Sequence, residues 1–319
     1  MYTLIDLPLG RERQVNAVLI EGTVLTLVDT GINESESVTA LENAICGRGH
    51  RVEDLQQIVI THAHPDHFGA ARQLAARSGA TVVADPVSAE VLHNYPTGSR
   101  EFSESRSTFI REAGAPEQFY DQLRSRSFRS WAPPEPIPIS QTVDDGDQIA
   151  MGDATWQVVQ TPGHAISEIS FVDRASRTLL SGDVVLGRGG ASVTLYPYPT
   201  GRPGRWVLDI LDSLDRLARF QPERILPGHG PEIFDGSQAI ADRRAGILRR
   251  LEQVERLVHE KPLAAWQASL LMYNRSTGSW ATLFQTIGYL EALEADGKIR
   301  STVEDGRRIF WGDSPLNGR

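Results

Sequence analysis

The sequence predicts an α/β protein in which sheets are layered against covering helices. Three observations predict it. Strand-length apolar runs recur, at 15–22 (VNAVLIEG), 23–31 (TVLTLVDTG) and 80–84 (ATVVA). Stretches with helical apolar spacing separate the later runs. The resulting order is hairpin strands, helix, strand, helix, strand.

The first two runs join at Glu21-Gly22, which reads as a hairpin-like turn, and Asp29-Thr30-Gly31 ends the second. Glu34 to Ile45 reads as a helix with Val38, Leu41, Ala44 and Ile45 on one face, ended by Gly47 and Gly49. Ile58, Val59 and Ile60 then form a short β-branched strand buried on both faces. Its end carries the most informative stretch of the chain: Thr61, then His62, His64, Asp66 and His67 within six positions. Imidazole and carboxylate are the ligands that zinc and similar divalent ions take in open, catalytic sites. His62 and His64 share one side of an extended segment. Pro65 blocks further pairing, and a helix starting near His67 turns Asp66 and His67 toward a second position. Asp29 has two readings of equal weight, a turn aspartate or a carboxylate beneath the metal site that orients a histidine.

After a helix to Ser78, stopped by Gly79, comes the strand at 80–84. Residues 86–140 read as a helical insertion broken at Pro96-Thr97-Gly98 and Gly114-Ala115-Pro116, a candidate lid. Its arginines (Arg100, Arg106, Arg111, Arg124, Arg126, Arg129) suit an anionic substrate group, but Glu101, Glu104, Glu112, Glu117 and Asp121 are interleaved. A solvated mixed-charge face is the better reading. Strands return over 142–183. Thr161-Pro162-Gly163 delivers His164 on a sharply fixed backbone, and Asp183 follows a strand, where it either caps a turn or bridges two cations. The loop 187–203 offers Tyr196 and Tyr198 as donors to a substrate, against a reading in which both rings pack on Pro197 and Pro199. Gly204 to Phe220 is an amphipathic helix, and Arg224-Ile225-Leu226 a last strand ending in Pro227-Gly228-His229-Gly230.

The stretch THAHPDH resembles the signature of the metallo-β-lactamase superfamily of hydrolases. His164, Asp183 and His229, each after an apolar strand, match its later motifs in order. The resemblance covers residues 1–235 and implies a four-layer αβ/βα sandwich of two sheets flanked by helices. By the family pattern, His62, His64 and His164 would hold one ion, Asp66, His67 and His229 the other, with Asp183 bridging. Five of the eight histidines fall in these motifs, so chance placement explains them poorly. The best-known β-lactamase subclass puts a cysteine at a metal position. Here Cys46 stands far from every motif, and the pattern looks instead like the glyoxalase II, lactonase and nuclease branches.

The resemblance implies a dinuclear hydrolase: two divalent ions, zinc first, with iron or manganese compatible with an all-nitrogen and oxygen donor set. A metal-bridging hydroxide would attack a small ester, thioester or lactone, with Asp66 orienting it or taking up a proton. Two alternatives are a metal-dependent nuclease or phosphodiesterase acting on RNA or nucleotides, and a non-catalytic metal-sensing regulator.

Beyond residue 235, a long helix over 239–260, two further helices and a hairpin turning at Glu304-Asp305-Gly306 look like a small winged-helix domain. Its second helix carries Glu291, Glu294 and Asp296 before Lys298, unsuited to phosphates. It reads as a packing or dimerisation module. A formal charge of −9 argues against broad attraction to nucleic acid or anionic membrane. One cysteine, no long apolar run and a start (MYTLIDLPLG) without a basic n-region predict a cytoplasmic protein acting on a small molecule.

Overall fold

The computed structural model describes residues 1–10, 13–95, 109–119, 135–187, 193 and 205–312. The chain groups into two compact units. One comprises Met1–Gly98, Ser127–Ala191 and Ser213–Ala241, the other Ser99–Arg126, Ser192–Asp212 and Asp242–Arg319.

The first unit contains two sheets. In the first, β1 (Tyr2–Leu9) pairs antiparallel with β2 (Arg13–Ile20) along its whole length, and β2 pairs antiparallel with β3 (Thr26–Val28). The three-residue register of that second pair, Val18↔Val28 to Ile20↔Thr26, is the hairpin around Glu21-Gly22. Parallel pairing then takes over, because helices supply the crossovers. α1 (Ser35–Gly47) leads to β4 (Gln57–Val59). α2 (Pro65–Phe68) and α3 (Ala71–Ser78) lead to β5 (Thr81–Ala84), and α4 (Pro86–His93) precedes β6 (Gln141–Thr142). The strand order is β1-β2-β3-β4-β5-β6. α3 stops at Gly79, whose left-handed φ of 72° closes the last turn without a Cβ penalty.

The second sheet has the order β11-β10-β9-β8-β7. β7 (Gln148–Met151), β8 (Ala154–Gln160), β9 (Ile169–Asp173) and β10 (Thr178–Gly182) form an antiparallel meander. After α5 (Trp206–Ala218), β11 (Arg224–Pro227) joins β10 in parallel.

Period-two alternation assigns the side chains to two cores. Val15, Ala17 and Leu19 of β2 join Leu41 and Ile45 of α1 and Leu74 of α3 on the helix side of the first sheet. Val18 and Ile20, with Val59 and Val83, pack instead against Met151, Trp156, Phe171 and Leu226 of the second sheet. Asn16 shares the parity of Val18 and Ile20 and is buried, a polar residue in an otherwise apolar row.

In the second unit, α6 (Gly236–Glu260), which begins in the first unit, runs toward β12 (Leu263–Ala264), α7 (Ala265–Met272), α8 (Trp280–Ala295) and the hairpin β13 (Arg300–Glu304) and β14 (Arg307–Trp311). The small sheet has the order β12-β14-β13. The hairpin turns on Asp305 and Gly306, both at positive φ (49° and 73°), the backbone that a two-residue turn of matching twist requires. α8 is buried from Leu283 through Leu293. Its Glu291 and Glu294 both pair with Arg308 of β14. Ala113 accepts a hydrogen bond from Trp266 N–H, so residues 109–119 belong to this unit's packing. Of the six insertion arginines, Arg111 alone is among the described residues.

Candidate metal centre

The pairing directions put the ends of β3, β4 and β5 at one end of the first sheet, and those of β8, β10 and β11 at one end of the second. Side chains placed just past these ends converge, as the crevice rule for open α/β sheets anticipates. β4 delivers His62, His64, Asp66 and His67. β8 delivers His164, β10 delivers Asp183 and β11 delivers His229.

Three groups of donor atoms lie within 4.8 Å of one another: His62, His64 and His164; His62, His67 and Asp183; and Asp66, His67 and His229. His64 Nδ1 is 2.7 Å from His62 Nε2 and 3.0 Å from His164 Nε2. A single proton can satisfy one such nitrogen pair, not all three atoms. Asp183 sits at the middle of the set. Its Oδ2 is 3.5 Å from His164 Nε2 and 3.4 Å from His229 Nε2, and its Oδ1 is 3.7 Å from His67 Nε2. Asp66 Oδ2 is 3.6 Å from His229 Nε2. His67 Nε2 and Asp183 Oδ1 are buried without a hydrogen-bond partner. Buried polar atoms rarely go unpaired, and an imidazole nitrogen facing a carboxylate oxygen is a donor set that fits a divalent cation.

The electrostatics point the same way. Burial, reinforced by the neighbouring His67, His64 and His164, holds His62 well below the usual imidazole range, so the ring is neutral, the form that could ligate a cation. Burial would also lower His67, but the carboxylates of Asp29 and Asp183 and the hydrogen bond to Asp29 prevail and push it up to about 10. Burial would raise Asp183, yet the His229 and His67 imidazoles hold its carboxyl well below its ordinary range. The cluster is therefore built to keep Asp183 anionic.

α2 starts at Pro65, two residues earlier than the sequence suggests, because proline is preorganised for the first helical turn. His64 is its extended N-cap, so the backbone turns between His64 and Asp66.

Asp29 takes the orienting role rather than that of a plain turn residue. Its carboxylate accepts hydrogen bonds from Thr61 N–H (2.9 Å), Thr61 Oγ1 (2.8 Å) and His67 Nδ1 (2.8 Å). The last bond fixes the His67 tautomer and leaves Nε2 for a metal. Asp29 has φ 58°, a conformation that aspartate and asparagine tolerate better than most residues. Asp29→Ala is expected to lower ion affinity about 10–100-fold. Competition with a fluorescent chelator measures it, and wild-type affinity would remove the orienting role.

Two features have no clear announcement in the motifs. Glu168 is buried, and its Oε1 accepts the backbone N–H of Asp183. Burial, and then the neighbouring Asp183, raise its carboxyl well above the usual range. A carboxylate directly before the buried strand Ile169–Asp173 was the available signal. Gly228 lies so close to the site that a Cβ would collide with Asp183 Oδ1 and His67 Cε1. Gly228→Ala is expected to leave a folded chain that holds about 10–100-fold less metal at a set free concentration. Elemental analysis beside circular dichroism checks this.

Ser213 Oγ donates to Pro162 O and Arg216 Nη1 to Gln160 O, which pins the loop ahead of His164. Tyr196 and Tyr198 lie outside the described residues, as do Arg100, Arg106, Arg124, Arg126 and Arg129.

A family model described as "Metallo-beta-lactamase superfamily" matches residues 10–229. The chain is 29% identical over 307 residues to "Probable metallo-hydrolase YqjP" of Bacillus subtilis, covering 92% of this chain and 91% of that one. It is 30% identical over 175 residues to "Acyl-coenzyme A thioesterase MBLAC2" of Bos taurus, covering 54% of each. Among solved structures, a metallo-beta-lactamase family protein from Thermus thermophilus superposes with a TM-score of 0.82 at 26% identity, over 98% of both chains. A beta-lactamase domain protein from Burkholderia ambifaria gives 0.83 at 24% identity, over 98% of this chain and 92% of that one.

Proposed function

The chain belongs to the metallo-beta-lactamase superfamily, and from that membership we propose a dinuclear metal-dependent hydrolase of small esters or thioesters. The observation that carries it is the convergence of five imidazoles and two carboxylates, with His67 Nε2 and Asp183 Oδ1 left unpaired inside the protein. In this reading His62, His64 and His164 hold one ion, Asp66, His67 and His229 the other, and Asp183 stands between them. Zinc suits the imidazole-rich set, and iron or manganese suits it too. Divalent ions bound there supply a water-derived nucleophile near neutral pH and a Lewis acid for the substrate's carbonyl oxygen.

The chain's own groups do the rest. Asp66 is the accessible carboxylate of the set, its side chain 19% exposed against 6% for Asp183. It is placed to accept a proton from the attacking water and pass it toward the leaving group. Asp29 keeps His67 in one tautomer, and Gln14 O accepts from His229 Nδ1 at 2.6 Å and does the same for His229. Thioesters are favoured because relatives carry thioesterase names.

Against the nuclease reading stand the burial of α8 and the pairing of Glu291 and Glu294 with Arg308. A groove-reading helix must be exposed and cationic. The helix–helix–hairpin arrangement of the second unit supports a winged-helix-like module used for packing, and a homodimer is its simplest use. Among the described residues, no helix is long and apolar enough to cross a membrane.

The test is metal content per chain, followed by turnover of thioester, ester, lactone and phosphodiester substrates on the same sample. Two ions per chain with acyl-ester or thioester turnover are expected. Turnover of phosphodiesters alone would reverse the substrate assignment.

A further inference from the structure

We propose that Asn16 is a positioning residue that sets the place of His229, and through it one of the two ion positions. The inference rests on the dinuclear reading above. β2 lies in the first sheet and His229 follows the last strand of the second, so their alignment needs a cross-link between the sheets. Asn16 supplies it. The residue is 3% exposed, and its side chain lies on the face of β2 that points between the sheets. One amide nitrogen donates to two carbonyls, Pro227 O at 2.8 Å and Gly230 O at 2.7 Å. The backbone N–H of Asn16 donates to Gly228 O at 2.7 Å.

Two residues earlier, the carbonyl of Gln14 accepts a hydrogen bond from His229 Nδ1–H at 2.6 Å. Every residue from Pro227 to Gly230 is thus bonded to the same stretch of β2. From the other side, Gly228 N–H donates to Gly182 O at 2.7 Å, which ties the loop to the backbone just before Asp183.

The residue type follows from the task. Two carbonyls that approach one point need a neutral group with two N–H bonds on one atom, at a distance reached by a single methylene. Asparagine has this. Aspartate has the shape but turns two donors into an acceptor facing acceptors. Serine supplies one donor and alanine none. A buried donor with both protons used, in a strand whose neighbours are valine and alanine, is not a group that packing alone would select.

The position of Asn16 makes the effect selective. Its bonds to the loop run to Pro227, Gly228 and Gly230, which flank His229. That histidine belongs to the group with Asp66 and His67, not to the group of His62, His64 and His164. Removing the clamp should loosen one ion and spare the other. A residue that only stabilises the fold would weaken both alike. Val18, on the same face of the same strand and buried in the inter-sheet core, provides the comparison.

The experiment is zinc titration of the full chain against a competing chelator, for wild type, Asn16→Ala and Val18→Ala, with long-range proton–nitrogen spectra of the histidine rings. Expected are two binding steps in wild type and in Val18→Ala. In Asn16→Ala one of the two steps falls about 10–100-fold and the other is unchanged. The ring nitrogens of His229 shift in Asn16→Ala, while those of His62, His64 and His164 do not. Unchanged steps with unchanged His229 signals overturn the inference, as does an equal loss of both ions in Asn16→Ala. A single step in wild type refutes the two-ion reading instead. In that case the His229 spectra decide: a shift confined to His229 upholds the clamp, and none refutes it.

Discussion

Asp66→Ala is expected to cut turnover of the metal-loaded protein by about 10²–10⁴-fold, the range for losing a positioned proton acceptor, while the fold survives. The two halves of this expectation come from one observation. The carboxylate is partly exposed and close to His229 Nε2, so its removal leaves no buried charge unpaired. Asp183 is the contrast. It is buried among imidazoles, and deleting it would strip the cluster of its central anion and confuse chemistry with stability. Asp66→Ala removes a ligand and a proton acceptor together, and Asp66→Asn separates the two roles, because an amide oxygen still ligates but accepts no proton near neutral pH. A thermal melt run beside the kinetics checks the fold. Unchanged turnover in Asp66→Ala would remove the carboxylate from the reaction.

Stripping the ions should abolish turnover and lower thermal stability without unfolding the chain at room temperature. A ligand present at a thousand times its Kd stabilises the form that binds it by about 4 kcal/mol, and for a chain of this size that is a shift on the order of 5–10 °C. Protons compete for the same atoms. In the ion-free protein the His67 pKa stands at about 10, above its unfolded value, so the stability it contributes is fully present below about pH 6.5 and is lost as pH rises through about 10. An ion at Nε2 near pH 7 must expel that proton, while Nδ1–H stays with Asp29. Zinc binding should thus release protons, seen calorimetrically as an apparent enthalpy that depends on the buffer's ionisation heat. A buffer-independent enthalpy would contradict this picture of His67. Loading should weaken as pH falls, with no loss of helix signal at mild acidity.

How far the sequence announced this depends on the distance over which each feature is coded. Local patterns were plain. The run Ile58–Ile60, the turn at Glu21-Gly22 and the amphipathic spacing of Trp206, Ile210, Leu214 and Leu217 each match an observed element. The cluster at 62–67 is conspicuous because its members are adjacent. His164, Asp183 and His229 were weaker signals individually. What unites them is strand pairing across the whole chain, which composition and periodicity do not encode. Asp29 stayed balanced between two readings because a turn and an orienting carboxylate use the same residue at the same place. Asn16 and Glu168 escaped for another reason: each is a lone polar group beside apolar residues, and its significance lies in a backbone partner far away in sequence. The grouping of 99–126 and 192–212 with 242–319 likewise depends on long-range packing that no local pattern reports.

The spread of the proposed ligands from His62 to His229 also has a consequence for biogenesis. Closing so long a loop costs entropy that grows only slowly with its length, and the two sheets are what bring its ends together. The donors at 62–67 supply only part of each proposed ion position, and the rest arrive with strands formed much later in the chain. On the two-ion reading, full loading therefore follows formation of both sheets. Which element occupies the site in a living cell is then set by what the surroundings or a delivery factor present to a finished cup, and the expression host can change that without altering a single residue.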